Sequence, residues 1–272
     1  MIELNKRPVG VFDSGIGGLT VVKSIVEQLP FEDIIYFGDI ARLPYGTKSV
    51  ATIRKFAYQT VKFLLEQNVK AIVIACNTIS AVAKQDIQEL AGDVPVLDVI
   101  SAGSAASSNT SKNNKVGVIA TPATVNSLAY PKMINNLNNQ LYVSQIACTL
   151  FVPFIEEGYI LHPALEIIAS EYLQPLVTAK IDTLVLGCTH YPLILPTLEK
   201  IMGDDVTIID PAIATSVELL NILKQNKAIN DQLHPPKYKF YVTELSKNFN
   251  KIGELFLNKK LDLPELVNLD CY

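Results

Sequence analysis

The sequence lacks several features that would place the chain in a specialised class of protein. Its formal net charge is only -4, so a polyanion-binding surface and a nucleic acid partner are not expected. No stretch reaches the roughly 18 consecutive uncharged apolar residues of a membrane helix, and no apolar segment follows a basic head at the start. These absences favour a cytoplasmic protein with no membrane partner.

Cysteine is scarce, and its spacing excludes a disulfide framework. The four cysteines are Cys76, Cys148, Cys188 and Cys271, which do not follow the pattern of a small secreted domain. Reactive or buried thiols are the remaining interpretations. We expect Cys148 and Cys271 to be small hydrophobic residues of the core.

Familiar motifs for nucleotides and metals are also missing. The sequence contains neither G-x-G-x-x-G nor G-x-x-x-x-G-K-[ST], which disfavours nucleotide phosphates as ligands. Cys188 and His190 form only a Cys-x-His pair, whereas structural zinc sites need four ligands. We therefore predict no metal and no cofactor, and favour anionic groups smaller than nucleotides, bound at helix amino termini.

The sequence is rich in apolar runs that alternate with segments of helical spacing. Apolar residues make up 49% of the chain, enough for a well-filled core, and the alternating order predicts an α/β fold with mostly parallel sheets. The predicted strands lie at about 8–12, 34–39, 71–76, 94–99, 116–120, 183–187, 206–210 and 237–243. The predicted helices end near 29, 67, 90, 178 and 224.

Two motifs occur twice, in the same order and with nearly the same separation. VGVFDSGIG at 9–17 resembles VGVIATPAT at 116–124, and AIVIACNTISA at 71–81 resembles TLVLGCTHYPL at 183–193. This pattern indicates an internal duplication. We predict two pseudosymmetric α/β domains, residues 1–98 completed by 211–272 and residues 99–210, with the active site in the cleft between them.

Cys76 and Cys188 occupy equivalent places in this repeat. Each follows a buried apolar strand and precedes a hydroxyl-bearing turn into a predicted helix, so both thiols should lie at strand carboxyl ends, where α/β sheets bind ligands. A helix amino terminus, or a nearby histidine such as His190, favours the thiolate. Asp13 can cap the helix after the glycine loop. Two such thiols suggest a reaction that needs two similar bases.

Several long motifs together resemble the glutamate racemase family. They are VFDSGIGGLTV, GDIARLPYGTKS, IACNTISA and LGCTHYPL, with TPAT between them, and they span residues 8 to about 215. The final FYVTELSKNFNKIGELFL is similar to the family's ending. The resemblance implies a cofactor-independent enzyme that interconverts L-glutamate and D-glutamate and supplies the D-isomer for peptidoglycan.

The resemblance also implies roles for individual residues. Cys76 would take the α-proton from D-glutamate and Cys188 from L-glutamate, with Asp13 and His190 assisting. Glu156 matches an auxiliary acidic position, although the adjacent Glu157 is an alternative. Substrate contacts would fall on Ser14, Pro44, Tyr45, Gly46, Asn77, Thr78, Thr121, Thr124 and Thr189. Family members often form homodimers, so a homodimer is among the expectations, with its geometry left open.

The chemistry of racemisation agrees with two bases. Removing the α-proton leaves a nearly planar carbanion, and inversion needs a proton from the opposite face, which one fixed base cannot reach. Three alternatives remain from the sequence. The chain can be a racemase of another acidic amino acid such as aspartate, a hydrolase with Cys188 as nucleophile and His190 as base, or a non-catalytic amino-acid-binding protein.

Overall fold

The computed structural model describes residues 3–231, 235–245, 249–257 and 260–272. Residues 246–248, within the motif FYVTELSKNFNKIGELFL, lie outside the described residues. Within these ranges, no helix combines the length and apolar character needed to cross a bilayer. The chain divides into two compact units, Met1–Val99 with Ala212–Tyr272, and Ile100–Pro211.

The first unit is built on a parallel sheet whose strand order is β10-β9-β2-β1-β3-β4. Its central strands are almost entirely buried, as expected for parallel strands covered by helices on both faces. The strands are β1 (Val9–Asp13), β2 (Ile34–Gly38), β3 (Ala71–Ile74), β4 (Val96–Asp98), β9 (Tyr238–Val242) and β10 (Glu265–Leu266). The helices are α1 (Leu19–Gln28), α2 (Val50–Glu66), α3 (Asn77–Ala91), α10 (Pro211–Gln225, which begins at the boundary) and α11 (Phe249–Leu257).

The second unit is built on a parallel sheet of order β6-β5-β7-β8. The strands are β5 (Lys115–Ala120), β6 (Tyr142–Ala147), β7 (Thr183–Gly187) and β8 (Thr207–Ile209). The helices are α4 (Val99–Thr110), α5 (Pro122–Ser127), α6 (Ala129–Leu137), α7 (Phe151–Glu156), α8 (Pro163–Ala179) and α9 (Leu195–Met202). The predicted α/β fold with mostly parallel sheets is confirmed.

The two sheets share one topology and one register. Strand β1 lies between β2 and β3, and β5 lies between β6 and β7. Val9 pairs with Ala71 in the first sheet, and Val116 pairs with Thr183 in the second. Cys76 lies five positions after Ala71, and Cys188 lies five positions after Thr183. The two thiols therefore occupy equivalent positions just beyond the carboxyl ends of their strands, each in its own sheet.

A repeated glycine explains part of the sequence echo. Gly10 in β1 and Gly117 in β5 occupy matching positions. A Cβ at Gly10 would lie 3.0 Å from Val69 Cγ1, and a Cβ at Gly117 would lie 2.4 Å from Ile181 Cδ1. Each contacting residue precedes the strand that carries a cysteine at its end. The glycine therefore lets the incoming connection pack directly on the central strand.

Candidate active site

The Cys76 site is formed where β1 and β3 end side by side. Ala75 N donates to Phe12 O at 2.9 Å, which brings Asp13, Ser14 and Cys76 to one edge of the sheet. The thiol of Cys76 is only 5% exposed and donates to Ser14 Oγ at 3.3 Å. We define the Cys76 site as Asp13, Ser14, Cys76, Asn77 and Thr78.

The surroundings of Cys76 keep its thiol protonated. Burial, followed by the negative charge of Asp13, raises the pKa of Cys76 to about 12, although hydrogen bonding with Ser14 and with the Ile79 backbone opposes the shift. The neutral form of a buried thiol needs no counter-charge. The Cys76 thiol is therefore in its neutral form.

Helix α3 begins immediately after Cys76, earlier than the predicted Ser80. Cys76 is its N-cap residue, so the side chains of Asn77 and Thr78 belong to the first turn, where backbone N–H groups lack partners within the helix. Both side chains are buried, at 4% and 6% exposure. The earlier start places the positive end of the helix dipole at the thiol.

Asp13 does not cap helix α1. Its Oδ2 accepts from Gly15 N at 2.9 Å, whereas α1 begins at Leu19 with Gly18 as a cap that has no side-chain bond. The carboxylate therefore shapes the glycine loop. A second residue, Tyr36, was not predicted and holds the same loop, because its buried hydroxyl donates to Gly15 O at 2.7 Å. A phenol in an apolar strand is a signal for such a partner.

The segment Pro44, Tyr45 and Gly46 follows β2 and a cis peptide between Leu43 and Pro44. Tyr45 is 2% exposed, and its hydroxyl donates to the buried carboxylate of Asp39. The Tyr45 ring therefore lies in the interior of the first unit. Contacts between this segment and substrate remain a prediction.

The Cys188 site is built differently from the Cys76 site. As predicted, a turn follows the cysteine and the helix comes after Pro192: a short 3-10 helix, Tyr191–Ile194, precedes α9. Pro192 has no N–H and restricts the residue before it, which delays the regular helix. We define the Cys188 site as Thr121, Thr124, Glu156, Cys188, Thr189 and His190.

His190 replaces the helix terminus as the group beside this thiol. Its Nδ1 lies 3.8 Å from Cys188 Sγ, and its Nε2 lies 3.0 Å from Glu156 Oε1. Burial lowers the pKa of His190, but hydrogen bonds and charges from Cys188 and Glu156 outweigh burial and raise this pKa to about 10. An imidazolium at this place attracts negative charge on sulfur.

The structure distinguishes Glu156 from Glu157. Both residues are exposed, but Glu156 ends helix α7 and makes the contact with His190, whereas Glu157 forms the C-cap. Helix α7 is held against the His190 turn because Phe151 meets the ring of Tyr191 edge-on, with 5.3 Å between centroids.

The remaining residues of the Cys188 site lie near the end of β5 and in the turn after β7. Thr121 is the N-cap of α5 and accepts from Thr124 N at 3.4 Å, and the two threonine hydroxyls lie 3.1 Å apart. Thr124 is fully buried, and Thr189 is 9% exposed. Within the described ranges, no group of three His, Cys, Asp or Glu side chains has the geometry of a metal site.

The other two cysteines differ from each other. Cys148 is 1% exposed, as expected of a core residue, and burial, followed by the charge of Cys188, raises its pKa. Cys271 is exposed, so its prediction as a core residue was wrong. The chain turns there in a short 3-10 helix that buries Leu269 and leaves the thiol outside.

The His190–Glu156 contact predicts an unusual titration. In the wild type, we expect one of the three histidines to titrate near pH 10, well above the ordinary 6.5. Because the folded pKa is raised, the stabilisation is complete below about pH 6.5 and is lost as the pH rises through 10. Two-dimensional NMR of the imidazole signals measures this pKa.

Two adjacent substitutions provide a matched pair for this titration. Glu156→Gln removes the charge that contacts His190 and should lower its pKa, whereas Glu157→Gln removes an exposed neighbouring charge and should leave it nearly unchanged. Equal shifts in the two variants would contradict the assignment of Glu156.

Comparison with known proteins gives one family. The model of the Asp/Glu/Hydantoin racemase family matches residues 9–219. A curated glutamate racemase of Neisseria meningitidis serogroup A is 51% identical over 97% of this chain and 97% of its own length. The crystal structure of glutamate racemase from Francisella tularensis in complex with D-glutamate has a TM-score of 0.93 and 52% identity, covering 98% of this chain and 100% of that one. An aspartate racemase of Picrophilus torridus, at 20% identity and a TM-score of 0.54, shares the fold alone.

Proposed function

Because this chain belongs to the Asp/Glu/Hydantoin racemase family, we propose that it interconverts L-glutamate and D-glutamate without a cofactor. The observation that carries the proposal is that Cys76 and Cys188 are buried and occupy equivalent positions in two sheets of the same topology. The relatives that cover nearly the whole chain are glutamate racemases, which favours glutamate over aspartate. The D-isomer would supply peptidoglycan synthesis.

The two thiols act on opposite faces of one α-carbon. Cys188, as thiolate, removes the α-proton of L-glutamate and becomes a thiol, while the Cys76 thiol gives its proton to the other face and becomes a thiolate. The product is D-glutamate, and the reverse reaction exchanges the two roles. Total charge on the sulfurs is conserved, so each turnover begins and ends with one thiol and one thiolate.

The two environments support this starting state. The pKa of Cys76 is raised to about 12, chiefly by burial, which suits the proton donor. Cys188 lies beside a histidine whose pKa is raised to about 10 despite its burial, because Cys188 and Glu156 contact it, which suits the thiolate. The proposed mechanism needs this difference, because inversion starts from one thiol and one thiolate.

The carbanion must be stabilised by hydrogen-bond donors, since no cofactor accepts its electrons in this proposal. Asn77 and Thr78 in the first turn of α3, and Thr189 beside Cys188, are the candidates for binding the α-carboxylate. Their low exposure limits competition from water and strengthens each hydrogen bond. Ser14, Thr121, Thr124 and the segment 44–46 complete the proposed substrate contacts.

Deuterium incorporation tests the proposal. We expect purified protein in deuterated water, without added cofactor, to racemise each glutamate enantiomer and to place deuterium at Cα of the product. At low conversion, recovered substrate should retain protium, because the abstracting thiol and the donating thiol are different groups. NMR and optical rotation follow both quantities.

Parallel reactions separate the alternatives. Aspartate in place of glutamate should react far more slowly. Absence of α-exchange with both glutamate enantiomers would refute the proposal and favour a binding protein. With an ester or amide of glutamate as substrate, hydrolysis with the α-hydrogen retained would favour the Cys/His hydrolase.

A further inference from the structure

The loop that carries the segment 44–46 is tied to its unit through the buried carboxylate of Asp39. Asp39 is 1% exposed and accepts from Arg42 Nε at 2.7 Å. It also accepts from Thr243 Oγ1 at 2.9 Å and from the Tyr45 hydroxyl. One side chain thus joins the end of β2, the loop after it and the end of β9.

Gln59 on helix α2 extends this connection to a distant part of the chain. Its Oε1 accepts from Arg42 Nη1 at 2.6 Å, and its Nε2 donates to Leu269 O at 2.9 Å. The Arg42 guanidinium also lies over the Phe56 ring, 4.0 Å from the centroid. Helix α2, the loop and the segment around Leu269 are therefore linked by one amide.

The chemistry of the amide fits this place. Gln59 is 8% exposed, so an unpaired donor or acceptor would carry a full desolvation cost. Only a side chain with an acceptor on one side and a donor on the other satisfies both the guanidinium and the carbonyl. Gln59 fixes the orientation of Arg42, which in turn fixes Asp39 and Tyr45.

We propose that Gln59 is a positioning residue for substrate binding: through Arg42 it holds the segment Pro44, Tyr45 and Gly46 in the conformation that contacts glutamate. The inference rests on the proposed function, which assigns substrate contacts to that segment. A preformed loop binds the ground state and the transition state equally. Loss of this preformed conformation therefore raises KM for glutamate and leaves kcat unchanged.

Two substitutions cut the connection from opposite sides. Gln59→Met keeps the volume but removes the acceptor for Arg42, and we expect KM for both glutamate enantiomers to rise about tenfold with kcat within about twofold of wild type. Arg42→Lys keeps a positive charge for Asp39, but an ammonium cannot bridge Asp39 and Gln59 as a guanidinium does. It should give the same KM effect.

Rescue and non-additivity separate positioning from general destabilisation. Gln59→Glu still accepts from Arg42, and its KM should lie nearer to wild type than that of Gln59→Met. The double variant Gln59→Met with Arg42→Lys should raise KM no further than either single change, because both cut one connection. Gln85→Met, at an exposed position of α3, is the matched control and should leave KM unchanged.

Steady-state kinetics gives KM and kcat for each variant, and circular dichroism checks that each variant is folded. An unchanged KM in both single variants, a KM that rises additively in the double variant, or a Gln59→Glu variant as weak as Gln59→Met would each overturn the inference. Wild-type racemisation is measured in the same assay. If it is absent, the proposed function fails, whereas normal wild-type kinetics with unaffected variants removes only the role of Gln59.

Discussion

Replacement of either Cys76 or Cys188 by alanine is expected to lower the rate of glutamate racemisation by about a thousandfold or more. In the proposed mechanism each thiol is the acid or base for one face of the α-carbon. Loss of one thiol leaves that face without a proton donor or acceptor, so inversion stops in both directions.

The two variants should differ in residual hydrogen exchange. Cys76→Ala retains Cys188 and should exchange the α-hydrogen of L-glutamate slowly without inversion, whereas Cys188→Ala should do the same with D-glutamate. NMR in deuterated water measures exchange, and chiral chromatography measures inversion. A complementary preference of this kind identifies which thiol serves which enantiomer.

Cys148→Ala is the matched control for these variants. Cys148 is buried, has no role in the proposed reaction and should retain most of the activity after a small loss of stability. Near-normal racemisation in Cys76→Ala or Cys188→Ala would refute the two-base assignment. A large loss in folded Cys148→Ala would show that a third thiol had been assigned wrongly.

The repeated apolar runs made the thiols predictable from the sequence. A buried parallel strand needs a nearly continuous apolar run, and the residue after the run is placed at the carboxyl edge whatever the rest of the chain does. Cys76 and Cys188 follow such runs. Strands β3 and β7, and the equivalent positions of the two thiols after them, could therefore be predicted from the sequence. Helix α8 was also predicted within one residue at its end.

Details that depend on local competition were less predictable. Helix α3 starts at Asn77 rather than Ser80, whereas Pro192 delays the helix after Cys188. The same pattern of cysteine and hydroxyl thus gives a helix cap in one site and a histidine contact in the other. The choice between Glu156 and Glu157 depends on where the short helix α7 ends, which periodicity cannot fix.

Contacts between distant segments could not be predicted at all. Asp39 meets Thr243, and Gln59 meets Leu269, although no spacing rule relates residues so far apart in the chain. Hydrogen bonds of this kind depend on the completed fold. The sequence shows only that buried polar groups will need partners.

Breaking the buried ion pair between Lys70 and Glu32 is expected to cost about 3–5 kcal/mol of unfolding free energy. Lys70 Nζ lies 2.5 Å from Glu32 Oε2, and the two side chains are 0% and 1% exposed. Burial lowers the pKa of Lys70 while Glu32 opposes that shift. Each charge is tolerated in the interior because the other is present, so Lys70→Met leaves a buried carboxylate without its cation.

A second variant and a cycle test the coupling. Glu32→Gln keeps an acceptor for Asn230 N, which donates to Glu32 at 2.8 Å, but leaves the ammonium without its anion. Each single change should be strongly destabilising in urea unfolding. The double variant should lose less than the sum of the single losses, because no uncompensated charge remains buried.

An exposed ion pair of equal length is the control for this pair. Lys200 Nζ also lies 2.5 Å from Glu166, but the two side chains are 65% and 48% exposed, so Lys200→Met should change stability by less than about 1 kcal/mol. Lys70 and Glu32 precede β3 and β2, at the strand ends opposite to the thiols. Their loss should therefore lower stability without raising KM. Equal costs for Lys70→Met and Lys200→Met would show that burial of the pair has no energetic consequence.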